Sequence, residues 1–351
     1  MSSKISQAEK GSSQQLVLLD DDEVRQAITA REAIKVVGEA FVQLHTKDAQ
    51  VPLRTGIATS EPGAATFFMP ARVAKTGALG IKLVSVRPSN AGRGLPTVPA
   101  VVMLLDEPTG LPATQLTAIR TAAGSAVATN ALAKKNAHVM VVFGVGEQAQ
   151  AHTEAICTVR SIKEVYLINR TKSKALDLQQ RYQAAVGHGY TEITWHVVDK
   201  DSEDENKAVS RADIIVTATN SSKPIFNGKY LKPGVHINAI GSYSHSMQEL
   251  DETTVQSAKI VVDNREAALK EAGDIVIPLE KGLITTSSIV AELGQVLAEE
   301  MEVRQSDEDI TLFKSVGNAV QDVSVAHAVF LAAQKRGLGE RIAFNPTAAR
   351  L

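Results

Sequence analysis

Apolar positions follow one rhythm before about residue 135 and another after it. Leu16 to Leu19 is a short apolar run that reads as a strand. Asp20 to Asp22 then offer N-caps to an amphipathic helix reaching about Lys47, with Ile34, Val37, Phe41 and Leu44 on one face. Three β-rich runs follow, near Thr66 to Met69, Leu79 to Val86 and Thr97 to Leu105, divided by turn-rich stretches such as Pro88-Ser89-Asn90-Ala91-Gly92. This region is expected to be antiparallel α+β. Thr117 is placed to cap an Ala-rich helix running from Ala118 to about Lys134.

Beyond it the order becomes strand, helix, strand. Val139 to Phe143 is a fully apolar strand, Gln148 to Arg160 a helix, Glu164 to Asn169 a second strand and Lys172 to Val186 a second helix. Further strands are expected at Glu192 to Val198, Ile214 to Ala218, His236 to Ile240 and Lys259 to Asp263, and a last helix from about Asn318 to Lys335 can return to the first region. The alternation predicts an α/β protein with a Rossmann, doubly wound parallel sheet. The expected division is a Rossmann domain of residues 129–319 and a discontinuous α+β domain of residues 1–128 with 320–351.

Composition narrows the class. At 351 residues, 44% apolar and 22% charged, the chain has globular usage and a length that favours two domains with a cleft between them. A net charge of -2 gives no field for phosphate backbones, which excludes nucleic acid as the expected partner. Cys157 is the only cysteine, so no internal disulfide is expected and a reducing compartment fits. No apolar run reaches the roughly 18 residues of a membrane span, and Met1 to Gln15 is polar. The expectation is a cytoplasmic protein. The terminal Ala349-Arg350-Leu351 resembles a peroxisomal address, which matters only for a eukaryotic source.

Gly144-Val145-Gly146-Glu147-Gln148-Ala149 sits between the first buried strand and its helix. That context turns a weak glycine pattern into a dinucleotide loop. Gly144 permits the tight turn, Gly146 admits the pyrophosphate, and the helix N-terminus offers its N–H groups. The second strand ends in Asn169-Arg170-Thr171-Lys172, without the carboxylate that would read an unmodified ribose. A guanidinium fork there suits a 2′-phosphate, so NADP(H) is preferred, with NAD(H) the alternative if Arg170 is merely solvated.

Outside that region, Lys82 lies in Gly80-Ile81-Lys82-Leu83-Val84-Ser85-Val86, where both strand faces are largely apolar. It reads either as a pocket-lining ammonium or as an edge-strand lysine. Arg120 follows the cap Thr117 and reads either as a carboxylate site or as a surface arginine. Arg54 carries no intrinsic signal.

These residues gain weight together because the sequence resembles the ornithine cyclodeaminase and mu-crystallin family over nearly its whole length. The resemblance rests on Gly80-Ile81-Lys82-Leu83-Val84, Leu116-Thr117-Ala118-Ile119-Arg120-Thr121-Ala122-Ala123, the glycine loop, His236-Ile237-Asn238-Ala239-Ile240-Gly241 and Asp309-Ile310-Thr311-Leu312-Phe313-Lys314-Ser315-Val316-Gly317. It implies a homodimer joined through the non-Rossmann domain, which also binds substrate. It implies that Arg54, Lys82 and Arg120 hold a substrate carboxylate and that Ser315, Val316 and Gly317 lie near the nicotinamide. Lys82 and Arg120 are the expected catalytic pair. Thr121 and Thr219 are counted with the cofactor contacts.

Cyclodeaminases of that family carry an aspartate base two residues after the glycine of the Ile-Asn-Ala motif, where this sequence has Tyr243. A phenol with a pKa of about 10 is a poor substitute for a carboxylate base near neutrality. The Gly-Ser-aromatic-Ser-His run is similar to that of reductases of pyrroline- and piperideine-2-carboxylates, which implies an oxidoreductase of amino-acid metabolism making L-proline or L-pipecolate. Tyr243 joins the substrate-binding set, His245 is either an orienting group or an exposed loop residue, and Asp322 reads as a cap or ion-pair partner. The alternatives are an ornithine cyclodeaminase, an alanine-type dehydrogenase, or an NADPH-dependent binding protein of crystallin type.

Overall fold

The computed structural model describes residues 14–116, 121–185, 190–242 and 244–344. Two eight-stranded sheets organise them. The first takes β1 (Gln14–Leu19), β2 (Ala49–Gln50), β3 (Thr55–Ala58), β4 (Ala65–Val73), β5 (Ala78–Val86), β6 (Ala100–Leu105) and β7 (Pro112–Leu116). The second takes β8 (Val139–Phe143), β9 (Glu164–Ile168), β10 (Thr194–Val198), β11 (Ile214–Thr217), β12 (His236–Ala239), β13 (Lys259–Val262), β14 (Ile289–Glu292) and β15 (Thr311–Lys314). A final strand, β16 (Glu340–Phe344), returns to the first sheet and pairs antiparallel with β1.

The helices are α1 (Asp21–Ala27), α2 (Ala30–His45), α3 (Thr121–Leu132), α4 (Glu147–Val159), α5 (Lys172–Ala184), α6 (Glu203–Arg211), α7 (Glu252–Ser257), α8 (Arg265–Glu271), α9 (Gly273–Glu280), α10 (Leu293–Leu297) and α11 (Ala319–Arg336). Among the described residues no helix is long and apolar enough to cross a membrane.

The first sheet runs β16-β1-β7-β6-β5-β4-β2, with β3 also on β4, and is antiparallel except where β1 meets β7. Helix α11 packs on β4, β5 and β6, and α2 packs on α11, enclosing Met69, Val73, Val102, Phe41 and Val323 in one core. The second sheet runs β10-β9-β8-β11-β12-β15-β13-β14 and is parallel throughout. Alternate residues of β8 enter opposite cores: Val139, Val141 and Phe143 on one face, Met140 and Val142 on the other. Burial on both faces is why the strand reads as an unbroken apolar run. The doubly wound α/β expectation is met, and the chain order around β8 places the switch point between β8 and β11.

Several element boundaries differ from the pattern. The single helix expected up to Lys47 is two, because Ile28 is extended (φ -136°) and Thr29 opens α2 with its own capping box to Glu32. Two reciprocal hydrogen bonds at a new N-terminus outweigh continuing the helix through a β-branched pair. The Ala-rich helix is described from Thr121; the expected cap Thr117 lies outside the described residues. Strands β14 and β15 were not expected, because Ile289–Glu292 and Thr311–Lys314 are short and carry Glu292, Thr311 and Lys314 among their apolar residues.

Candidate functional site

The dinucleotide loop is built by the ends of three strands. Gly144 N donates to the O of Ile168, the last residue of β9, at 2.9 Å, and Ala218 N, just after β11, donates to Phe143 O at 3.0 Å. Gly144 has φ +101°, and a Cβ there would meet Ala218 O at 2.6 Å, so only glycine fits. Gly146 is the N-cap of α4 with φ -73°, no side chain caps it, and a Cβ built on it meets nothing within 4 Å. The first-turn N–H groups of Glu147, Gln148 and Ala149 thus face a space that a side chain would fill, which suits an anionic pyrophosphate. Beneath them, His152 Nδ1 lies 2.6 Å from Gln148 O and Nε2 3.0 Å from Ser125 Oγ on α3. Burial lowers its pKa to about 4. It is a neutral strut between the two helices.

At the end of β9, Asn169 Nδ2 donates to Thr171 O at 2.9 Å, Arg170 is exposed, and Thr171 begins α5 with no side-chain cap. Lys172 pairs with Asp199 at 2.8 Å. The turn therefore presents one guanidinium, a hydroxyl and open helix donors.

Two buried carboxylates shape the neighbouring loops. Glu249, fully buried, accepts from Thr217 Oγ1 at 2.7 Å, Thr219 N and Oγ1 at 2.6 Å each, and Gly241 N at 2.7 Å. It ties together the chain leaving β11 and the chain leaving β12. Burial, then the nearby Asp274, push its carboxyl up, while the hydroxyl donors and Lys314 favour its charge. Asp274 accepts from Glu249 N at 2.7 Å and pairs with the buried Lys314 at 3.2 Å. The second anchor is Asp263, whose Oδ2 accepts from Ser315 Oγ at 2.8 Å, Val316 N at 3.1 Å and Gly317 N at 2.7 Å.

A cleft of about 240 Å³ opens between the sheets, lined by Leu53, Arg54, Met69, Asn264, Glu271 and Gly317 among others. Arg54, in the segment between β2 and β3, makes a bidentate pair with Glu271 at the end of α8: Nε to Oε1 at 3.0 Å and Nη2 to Oε2 at 2.6 Å. Its guanidinium also lies 4.5 Å from the centroid of the Phe67 ring. Lys82 stands beside the cleft wall, opposite Met69 in the β4–β5 register. It is 7% exposed and its Nζ is 3.1 Å from Asp322 Oδ1, in the first turns of α11. Because β5 pairs with both β4 and β6, the edge-strand reading of Lys82 is corrected: it is an interior lysine neutralised by a buried acid.

Arg120, Tyr243 and the Ala349-Arg350-Leu351 end lie outside the described residues. Among the other candidates, Gly144 to Ala149, Asn169 to Thr171, Thr219 and Ser315 to Gly317 all follow C-terminal ends of second-sheet strands, where open α/β sheets bind ligands, and Thr121 opens α3. His245 is exposed, its Nε2 2.5 Å from Lys270 O, in accord with the loop reading. Asp322 is the ion-pair partner, and Asn318 is the cap of α11. Burial pushes the Cys157 thiol up to about 12, which fits packing rather than reactivity. Sequence reasoning missed Glu249, Asp263, Glu271 and Asp274; the acid that ends the β13 run was the one available signal.

The model of the ornithine cyclodeaminase/mu-crystallin family matches residues 14–337. The chain is 40% identical over 336 residues to the delta(1)-pyrroline-2-carboxylate reductase of Bacillus cereus, covering 94% of this chain and 100% of that one. It is 36% identical over 333 residues to the alanine dehydrogenase of Archaeoglobus fulgidus, covering 93% and 98%. Among solved structures, Thermococcus litoralis delta(1)-pyrroline-2-carboxylate reductase in complex with NADH and L-proline superposes with a TM-score of 0.87 at 33% identity, over 93% of this chain and 100% of that one.

Proposed function

The chain belongs to the ornithine cyclodeaminase/mu-crystallin family, and on that premise we propose that it reduces a cyclic ketimine carboxylate, pyrroline-2-carboxylate or piperideine-2-carboxylate, to L-proline or L-pipecolate. The observation that carries this reading is the cationic Arg54 lining the cleft, with the buried Lys82 next to the lining residue Met69, in a chain so similar to a pyrroline-2-carboxylate reductase. Tyr243 in place of a carboxylate base argues against cyclodeamination.

The residues following the strands of the second sheet, with Thr121 at the start of α3, fit a nicotinamide dinucleotide: the open cradle at Gly146 takes the pyrophosphate, Asn169 to Thr171 the adenosine ribose, and Thr121, Thr219 and Ser315 to Gly317 the remainder. When bound and reduced, that cofactor supplies the hydride for the imine carbon. Arg54 and Arg120 clamp the carboxylate, which fixes the imine carbon in one place and supplies the proximity term of catalysis. Lys82, 3.1 Å from Asp322, offers an N–H donor at the site and delivers a proton when the imine arrives neutral. Mixing the purified protein with NADPH and the ketimine is expected to bleach the nicotinamide absorbance; ammonia release from ornithine without bleaching would sink the reading.

NADP(H) is the preferred cofactor on this view, supported by the exposed Arg170 and the lack of an acid at the end of β9. Arg170→Ala is expected to weaken NADPH by about 10- to 100-fold, the worth of a charged hydrogen-bonded contact, and to leave NADH nearly unchanged. Equal losses in a titration of both cofactors would show that Arg170 does not read the phosphate.

The division into a Rossmann domain of residues 129–319 and a second domain of residues 1–128 with 320–351 is supported by β8–β15 forming one sheet and β1–β7 with β16 the other. A homodimer through that second domain is supported by the face of β4, β5 and β6 turned away from the α11 core. There Phe68, Pro70, Ile81, Leu83, Val101 and Met103 stay only half-buried, an apolar area that monomers seldom show water. Light scattering should report twice the chain mass.

A further inference from the structure

Resting on the ketimine reading, we propose that Glu271 recognises the cationic nitrogen of the substrate and so separates cyclic iminium acids from simple 2-oxo acids. Glu271 ends α8, where the helix dipole disfavours a carboxylate. Its neighbour Glu266 also lines the cleft but sits in the first turn of α8, where an acid is favoured. Glu271 therefore owes its position to Arg54 rather than to its helix, and the pair joins segments 217 residues apart, one from each sheet. With the two side chains only 13% and 19% exposed, neither is well hydrated.

That arrangement imposes a condition on any ligand. A substrate carboxylate that engages the Arg54 fork competes with Glu271 for the same donors, and a displaced Glu271 is left poorly solvated beside the ligand. A ligand that carries its own N–H cation next to its carboxylate resolves this, because the ring nitrogen can pair with Glu271 while the carboxylate pairs with Arg54. A 2-oxo acid or a ring ether brings no such group.

The test uses the full chain saturated with NADP+ and two ring acids of the same shape: L-proline, and tetrahydrofuran-2-carboxylate, whose ring oxygen replaces the nitrogen. Calorimetry on the native protein should show proline binding at least about tenfold more tightly. In Glu271→Gln the ratio should fall below about threefold, with proline weakened and the ether acid strengthened. A native ratio below threefold overturns the proposal whatever the variant does. So does an unchanged ratio in Glu271→Gln, and so does equal tightening of both ligands, which would make Glu271 a plain competitor. In those three cases a protein that still reduces the ketimine keeps its assigned reaction, whereas failure of the native protein to bind proline and to reduce the ketimine removes both.

Discussion

Lys82→Met is expected to lower kcat/KM for ketimine reduction by about a thousandfold, the range of a positioned proton donor, and to destabilise the fold by about 3–5 kcal/mol. Both effects come from one geometry. The ammonium lies 3.1 Å from the buried Asp322, beside a core that includes Met69, Val102 and Val323, so deleting it takes a countercharge away from a buried carboxylate. Adding Asp322→Asn separates the two losses. The double variant removes the uncompensated charge and should regain most of the stability in a denaturant titration, because replacing both members of a buried pair is often nearly neutral. Its activity should stay at the level of Lys82→Met. Recovery of activity along with stability would show that Lys82 is a structural counter-ion alone.

The second large effect is expected at the glycine loop, where Gly146→Val should leave the melting temperature within about 2 °C of the parent yet weaken NADPH by at least about a hundredfold. The backbone at Gly146 is already extended enough for any residue, and its Cβ direction is empty, so the folded chain accommodates valine. The valine methyls occupy the space that the pyrophosphate needs. Loss of two charge-assisted N–H contacts alone amounts to about 3 kcal/mol. Gly144→Ala gives the contrasting outcome, a loss of stability, because its φ of +101° and the carbonyl of Ala218 leave no room for a Cβ. A Gly146→Val protein that binds NADPH normally would place the dinucleotide elsewhere.

What could be read from the sequence was what local chemistry dictates. The glycine loop was legible because a strand, a tight turn and a helix start follow one another within a few residues. Lys82 stood out because an ammonium is costly in an apolar strand. The partners of those residues were not legible. Asp322 reaches Lys82 only when α11 crosses β5, and Glu271 reaches Arg54 across 217 residues. Glu249 gathers donors from the ends of two strands, and no spacing in Glu249 to Asp251 announces that. The split between α1 and α2 has the opposite origin: the local capping box of Thr29 and Glu32 prevails over an apolar period that runs on through both helices.

The pairing of β1 with β16 fixes an order of assembly during synthesis. The second sheet comes from one uninterrupted stretch of chain, so its strands can pair as soon as residues up to β15 have left the ribosome. The first sheet emerges earlier but stays without its cover until α11 and β16 arrive, and its most distant pairing sets Gln14 against Phe344. The half that is translated first is therefore completed last, and its apolar strands must be kept from aggregation until β16 has emerged.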